Sequence, residues 1–155
     1  MIITTTDLLN SGLPVSEEIS YDKLERAIKT AENYIVKPRL GDLYVTIITE
    51  PSEYTTILDG GIYVLPDGSE VYLSGLCEAV KELAYACLLR DNLTATVFGS
   101  VLKKDEYSDQ ANEEKLTAVA RYHTEIGMAY LKEVTDVLGI DNTGLWQNNW
   151  FEELI

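Results

Sequence analysis

Apolar residues recur every three or four positions along much of the chain, which predicts amphipathic helices. The first repeat predicts a helix that begins after Ser16 or Ser20. We expect it to end at Lys37, because Pro38 has no amide hydrogen and restricts the residue before it. Its apolar face is Leu24, Ala27, Ile28, Ala31, Tyr34 and Ile35, and its polar face is Lys23, Glu25, Arg26, Lys29 and Glu32.

Two further repeats predict helices in the first two thirds of the chain. Apolar residues from Leu40 to Ile48 predict a short helix that stops at Pro51, although residues 44–49 are also rich in β-prone types. A longer repeat predicts a helix that begins after Ser74, as a candidate cap, and ends near residues 91–92.

A β-hairpin is predicted over residues 62–73. Two short runs of β-branched and aromatic residues, 62–65 and 70–73, flank the sequence Pro66-Asp67-Gly68-Ser69. Proline presets one turn dihedral and glycine accepts a positive φ, so this sequence is typical of a tight turn. A two-stranded hairpin is marginally stable alone, so we expect it to pack on the helices.

Residues 93–111 lack helical periodicity and predict an extended arm. The arm either adds a third strand to the hairpin or pairs with a neighbouring molecule, and the sequence leaves both readings open. Its candidate partner-contact residues are Val97, Phe98, Val101 and Leu102. A last long helix is predicted from Asp109 to Leu138, with Gly139 as its C-terminal cap.

These elements predict a mainly α fold, a small bundle of three to four helices with one β-hairpin and an extended arm. The 155 residues suit one domain, here 1–139, followed by a tail, 140–155. The tail holds Trp146, Trp150 and Phe151 among asparagine, glutamine and acidic residues. It either folds back on the domain or anchors in another subunit, since aromatic side chains dominate many interfaces.

Charge and composition narrow the function classes. With 12 basic and 26 acidic residues the net charge is −14, the wrong sign for a general duplex-DNA binder. No apolar run reaches the roughly 18 residues of a membrane span, and no secretory signal is visible. Cys77 and Cys87 lie ten residues apart in one predicted helix, about 15 Å along its axis, so we expect reduced, packed thiols.

The sequence predicts no catalytic residue, cofactor or metal ligand. His123, the only histidine, lies in an apolar stripe, which is typical of a packed imidazole with one hydrogen-bond partner. Glu78 and Glu82 are four residues apart beside Lys81 and are expected on a solvated face. With 26 acids, an unrecognised carboxylate site in an enzyme stays a third possibility.

The order of elements resembles the head-tail connector (adaptor) proteins of tailed bacteriophages, of the kind found in phages and prophages of gut Bacteroidetes. The similarity covers roughly residues 18–139. It is carried by Ala31-Glu32-x-Tyr34-Ile35 with the following Pro38 and Gly41, and by Phe98-Gly99 before the last helix.

That resemblance implies a structural virion protein, made in the host cytoplasm, that forms a ring at the head-tail junction. The ring, twelve-fold by the same resemblance, would lie below the portal protein and meet the next connector or tail protein. It would continue the channel for duplex DNA, and acidic walls suit passage without specific binding. The alternative is a bacterial interaction module that holds a protein partner through its aromatic tail.

Overall fold

A computed structural model describes residues 1–15, 19–97 and 109–141, with the backbone alone for 92–97 and 109–114. It confirms the mainly α class with one antiparallel hairpin. The helices are α1 (Thr5–Leu9), α2 (Tyr21–Thr30), a π-helical turn (Ala31–Val36), α3 (Lys37–Leu40), α4 (Leu43–Thr49), a 3-10 turn (Pro51–Tyr54), α5 (Thr55–Asp59), α6 (Leu76–Val97) and α7 (Asp109–Val137). The strands are β1 (Gly61–Val64) and β2 (Glu70–Leu73).

Helix α6 is the centre of the core. From Ala79 to Leu89 its side chains are almost all buried, which is the pattern of a helix covered on every side. Helix α7 crosses it so closely that a Cβ added to Gly127 would lie 2.7 Å from Leu83 Cγ and 3.0 Å from the Ala79 carbonyl oxygen. Helix α2 packs on another side of α6. A three-helix layer therefore supports the smaller elements.

The first predicted helix differs from expectation at its C-terminal end. Helical structure continues through Pro38 to Leu40, because the π-helical turn before the proline bonds Lys37 N–H to the Glu32 carbonyl, five residues back. The extra residue in this turn rotates the following positions by about 100°. Tyr34, expected on the apolar face, is therefore exposed. Glu32, expected on the polar face, is buried because it follows the buried Ile28 by four residues, one turn along the same helix face.

Two short helices were not predicted. Helix α1 starts at a capping box in which Thr4 Oγ1 accepts from Asp7 N–H and the Asp7 carboxylate accepts from Thr4 N–H. Helix α5 has five residues, too few for a periodic pattern. The predicted short helix before Pro51 is confirmed as α4.

The hairpin forms where it was predicted, with Ile62 opposite Tyr72 and Val64 opposite Glu70. Two glycines hold its base against α6: a Cβ on Gly75 would lie 2.5 Å from Gly60 N, and both residues have positive φ. Helix α6 begins directly after Gly75, so Ser74 is not its cap. The Ser74 N–H instead donates to Glu133 of α7, which fixes the end of β2 on the bundle.

The extended arm is wrong over residues 93–97. Helix α6 continues through Val97, because extending an existing helix adds a hydrogen bond per residue and outweighs the β preference of a few residues. Helix α7 begins at Asp109, as predicted, so residues 109–111 belong to that helix. Val97 thus lies in a helix and in no third strand. Phe98, Val101 and Leu102 lie outside the described residues.

The predicted end of the last helix is confirmed. Gly139 adopts φ 67° and donates to Asp136 O, and Ile140 N–H donates to Thr135 O, the hydrogen-bond pair of a Schellman cap. Trp146, Trp150 and Phe151 lie outside the described residues.

Candidate partner-binding surface

The hairpin exposes large apolar side chains on the side that faces away from the bundle. Side chains alternate between the two faces of a strand, so Tyr63, Val71 and Leu73 turn inward. Ile62, Val64 and Tyr72 turn outward, with 64%, 59% and 75% of their surface exposed. We call these three residues the hairpin face.

The hairpin face is costly to leave in water. Full burial of an aliphatic side chain contributes about 1.5 to 3 kcal/mol, so covering what is still exposed would contribute about 1 to 2 kcal/mol per residue. Ile62 lies directly across from Tyr72, so the exposed groups form one patch. In the described part of the chain the sheet has two strands, and no further strand covers its outer edges. Such a surface is typical of a contact site.

In the segment that carries the hairpin face, every charged residue is acidic. No lysine or arginine occurs between Arg39 and Lys81. Seven acidic residues lie in that interval, and all of them are exposed: Asp42, Glu50, Glu53, Asp59, Asp67, Glu70 and Glu78. Of these acids, Glu70 lies on the outward side of the hairpin, opposite Val64, so negative charge at the patch disfavours contact with another acidic surface.

The outward side of α2, in contrast, is rich in basic residues. Lys23, Arg26 and Lys29 of α2 and Lys37, the first residue of α3, are exposed within fifteen residues, which also hold Glu25. Arg26 and Lys29 line a shallow depression of about 390 Å³ together with Tyr34, which is 63% exposed, and with the acidic residues Asp22 and Glu25. We call Arg26, Lys29 and Tyr34 the α2 face.

Charge on the α2 face is partly balanced on the same helix. Lys29 Nζ lies 2.6 Å from Glu25 Oε1, and both side chains are about half exposed. An exposed pair of this kind is worth little, so it leaves Lys29 available to a partner.

His123 is paired across the two long helices. Its Nδ1 lies 2.5 Å from Glu82 Oε2, and the two side chains are 13% and 16% exposed. The Tyr85 and Tyr122 rings meet the imidazole edge to face, with centroids at 4.7 and 5.3 Å. The predicted packed histidine with a hydrogen-bond partner is confirmed. A carboxylate and two rings position the imidazole.

The two acids that were expected on a solvated face of α6, Glu78 and Glu82, lie in different environments. Glu78 is exposed and bonds Lys81 Nζ at 2.7 Å, as expected. Glu82 is not on that face, because its carboxylate reaches into the α6-α7 interface to meet His123.

A buried carboxylate joins the N-terminus to the π-helical turn. Glu32 is 2% exposed, and its Oε1 accepts from Ile2 N–H at 2.5 Å while Oε2 accepts from Tyr44 Oη at 2.8 Å. Burial, and then the hydrogen bond and negative charge of Glu32, raise the pKa of Tyr44. The cluster ties three segments together and is held inside the fold. One signal in the sequence was the spacing, because Glu32 follows the apolar Ile28 by four residues and so lies on the same helix face.

Both cysteines are free thiols, as predicted, and both lie on α6. Burial raises the pKa of each to about 11, with the charge of Asp59 adding to the effect at Cys77. A thiol with so high a pKa is largely protonated near neutral pH, which makes it a weak nucleophile.

Metal-binding clusters and membrane-spanning helices are both absent from the part of the chain that the structure describes. Among residues 1–15, 19–97 and 109–141, no three histidine, cysteine or acidic side chains come together in a way that would hold a metal ion. Within the same part of the chain, no helix combines the length and apolarity needed to cross a membrane.

The exposed hairpin face was missed by the sequence analysis, which placed partner contacts on Val97, Phe98, Val101, Leu102, Trp146, Trp150 and Phe151. Of these, the backbone is described at Val97 alone, and it is helical. One signal was available in the sequence: residues 62–65 are apolar without interruption, so the strand cannot have one polar face.

The model of a family described as a family of unknown function, DUF6712, matches residues 36–149. No curated protein matches, and no solved structure matches.

Proposed function

The chain belongs to the family DUF6712, and we propose that it is a structural virion protein, a head-tail connector subunit that assembles as a ring below the portal of a tailed phage. The hairpin face carries this proposal. Ile62, Val64 and Tyr72 form an apolar patch with no cover in the described part of the chain, on a rigid hairpin clamped by Gly60 and Gly75. A patch of this kind has a role in assembly, since a monomer gains nothing from it.

The net charge of the chain also supports the proposal. A ring that continues a DNA channel has to let duplex DNA pass without holding it. A subunit of net charge −14 repels phosphates and has few cations with which to displace their counterions. The proposed partners are therefore other copies of the chain, the portal protein and the next connector or tail protein, with passing duplex DNA as the content of the channel.

The side-chain chemistry is compatible with a structural role. The imidazole of His123 is engaged by Glu82, the Glu32 carboxylate by Tyr44 and a backbone amide, and both thiols have raised pKa values. Each of these groups stabilises packing between elements. We therefore propose no reaction and no cofactor for this protein.

Electron microscopy and mass photometry of the full-length chain test the proposal, with the chain alone at increasing concentration and mixed with the portal protein encoded beside it. The expected result is an annular oligomer with a channel wide enough for duplex DNA, formed alone or on the portal. A chain that stays monomeric in both conditions, or whose gene has no portal, capsid or tail genes beside it, contradicts the proposal and favours the interaction module.

A further inference from the structure

The hairpin face and the α2 face complement each other. The hairpin face is apolar and lies in a segment with seven exposed acids and no cation. The α2 face offers an exposed ring, Tyr34, in the same depression as Arg26 and Lys29, and the stretch 22–37 has four exposed cations against the exposed Asp22 and the half-exposed Glu25. Surfaces of opposite sign attract, whereas two hairpin faces would bring like charges together.

We infer that the hairpin face of one copy packs on the α2 face of a second copy, in a head-to-tail contact. The inference rests on the proposed function and specifies which two surfaces form the ring contact. Contact between two different patches leaves one patch of each kind open at the ends of a pair, so further copies add until the ring closes. Contact between two copies of one patch would stop at a dimer.

Shape supports the same pairing. Tyr72 is the most exposed residue of the hairpin face, at 75%, so its ring projects from the sheet. The depression on the α2 face has room for a side chain and is bordered by Arg26, whose guanidinium can lie over an aromatic ring. Tyr72 is thus the anchor of the contact, with Ile62 and Val64 beside it as the apolar surround.

A mixing experiment with two full-length double variants tests the contact. The hairpin variant, Ile62→Thr/Tyr72→Thr, replaces exposed residues by a polar residue that suits strands. The α2 variant, Arg26→Glu/Lys29→Glu, reverses the charge of the other face. Masses are measured by native mass spectrometry at a concentration at which the wild type forms oligomers, and circular dichroism shows that each variant is folded.

Each variant alone is expected to stay monomeric. An equimolar mixture is expected to form heterodimers and to stop there, because the intact hairpin face of one variant meets the intact α2 face of the other. A mixture that stays monomeric overturns the inference, and so does either variant that assembles alone like the wild type.

A matched control places the same kind of change on α7. Val119→Thr/Tyr122→Thr also removes one exposed β-branched residue and one exposed tyrosine, and we expect it to assemble like the wild type. Loss of assembly in this variant alone would assign the contact to α7 and overturn the inference. Tyr72→Lys serves as a second hairpin variant: it presents a cation to Arg26 and is expected to weaken association at least tenfold.

The experiment separates this inference from the proposed function. If the wild type forms rings and the variants do so equally well, the pairing of faces is wrong and the connector proposal stands. If the wild type is monomeric alone and with the portal protein, both are wrong.

Discussion

Replacing Glu32 by leucine removes the acceptor shared by two donors in the core. Glu32 Oε1 accepts from the half-buried Ile2 N–H, and Oε2 accepts from the hydroxyl of the buried Tyr44. A donor left without a partner in the interior costs about 1 to 3 kcal/mol. Two such donors are left in Glu32→Leu, but the variant no longer has to bury a carboxylate, which recovers part of this cost. We therefore expect the free energy of unfolding to fall by about 2 to 4 kcal/mol.

The expected loss is measurable because it is a large share of the free energy of unfolding. A domain of this length has a free energy of unfolding of about 5 to 15 kcal/mol. Urea unfolding followed by circular dichroism gives that free energy for the wild type and for Glu32→Leu. Glu25→Leu is the matched control: it makes the same change on the exposed side of α2, where it breaks only the pair with Lys29, and we expect a change below about 1 kcal/mol.

A double-mutant cycle with Tyr44→Phe tests the hydrogen bond itself. In Glu32→Leu/Tyr44→Phe the unpaired hydroxyl is also removed, so the double variant is expected to be about 1 to 2 kcal/mol more stable than Glu32→Leu alone. If Glu32→Leu lies within about 0.5 kcal/mol of the wild type, or if the two substitutions add without coupling, the buried carboxylate does not hold these segments together.

Three further predictions concern the same fold. Gly127→Ala gains about 1 kcal/mol in helix propensity but pushes a methyl group into Leu83, so we expect the free energy of unfolding, measured in urea, to fall by about 1 to 2 kcal/mol net. A stabilised variant would contradict the close α6-α7 approach. Burial and Glu32 raise the pKa of Tyr44, so the stabilising effect of the neutral hydroxyl is complete below about pH 10 and is lost as pH rises above that value. Between about pH 9 and 11 the free energy of unfolding should therefore fall more for the wild type than for Tyr44→Phe, and equal losses would refute this. His123→Phe leaves the Glu82 carboxylate without its partner and is expected to lower the unfolding free energy by about 1 to 3 kcal/mol, with a neutral result contradicting the pair.

The sequence predicted the elements whose signals are local. The turn Pro66-Asp67-Gly68-Ser69 specified the hairpin, and the apolar stripes with Gly139 specified the long helices and the end of α7. The capping box at Thr4 is also a local signal, but helix α1 was not predicted, because it is too short for a periodic pattern.

The features that the sequence did not predict depend on packing. The π-helical turn before Pro38 shifts the phase of one helix and turns Tyr34 out to solvent, and no residue type marks such a turn. The continuation of α6 to Val97 is favoured by a helix already formed and was opposed by β-prone residues. Which side of the hairpin stays exposed depends on where the bundle lies, so the candidate surface required the fold.

Carbodiimide cross-linking of the assembled wild type, with equal parts of ¹⁴N- and ¹⁵N-labelled chain, tests most directly whether the hairpin face is covered by another copy. This reagent joins a carboxylate to a lysine only where they touch, and mixed-isotope peptides come only from contacts between copies. The account predicts mixed-isotope links from Asp67 or Glu70 to Lys23 or Lys29. Hairpin acids that link only within one copy, to lysines of α7 in another copy, or to none at all would contradict it.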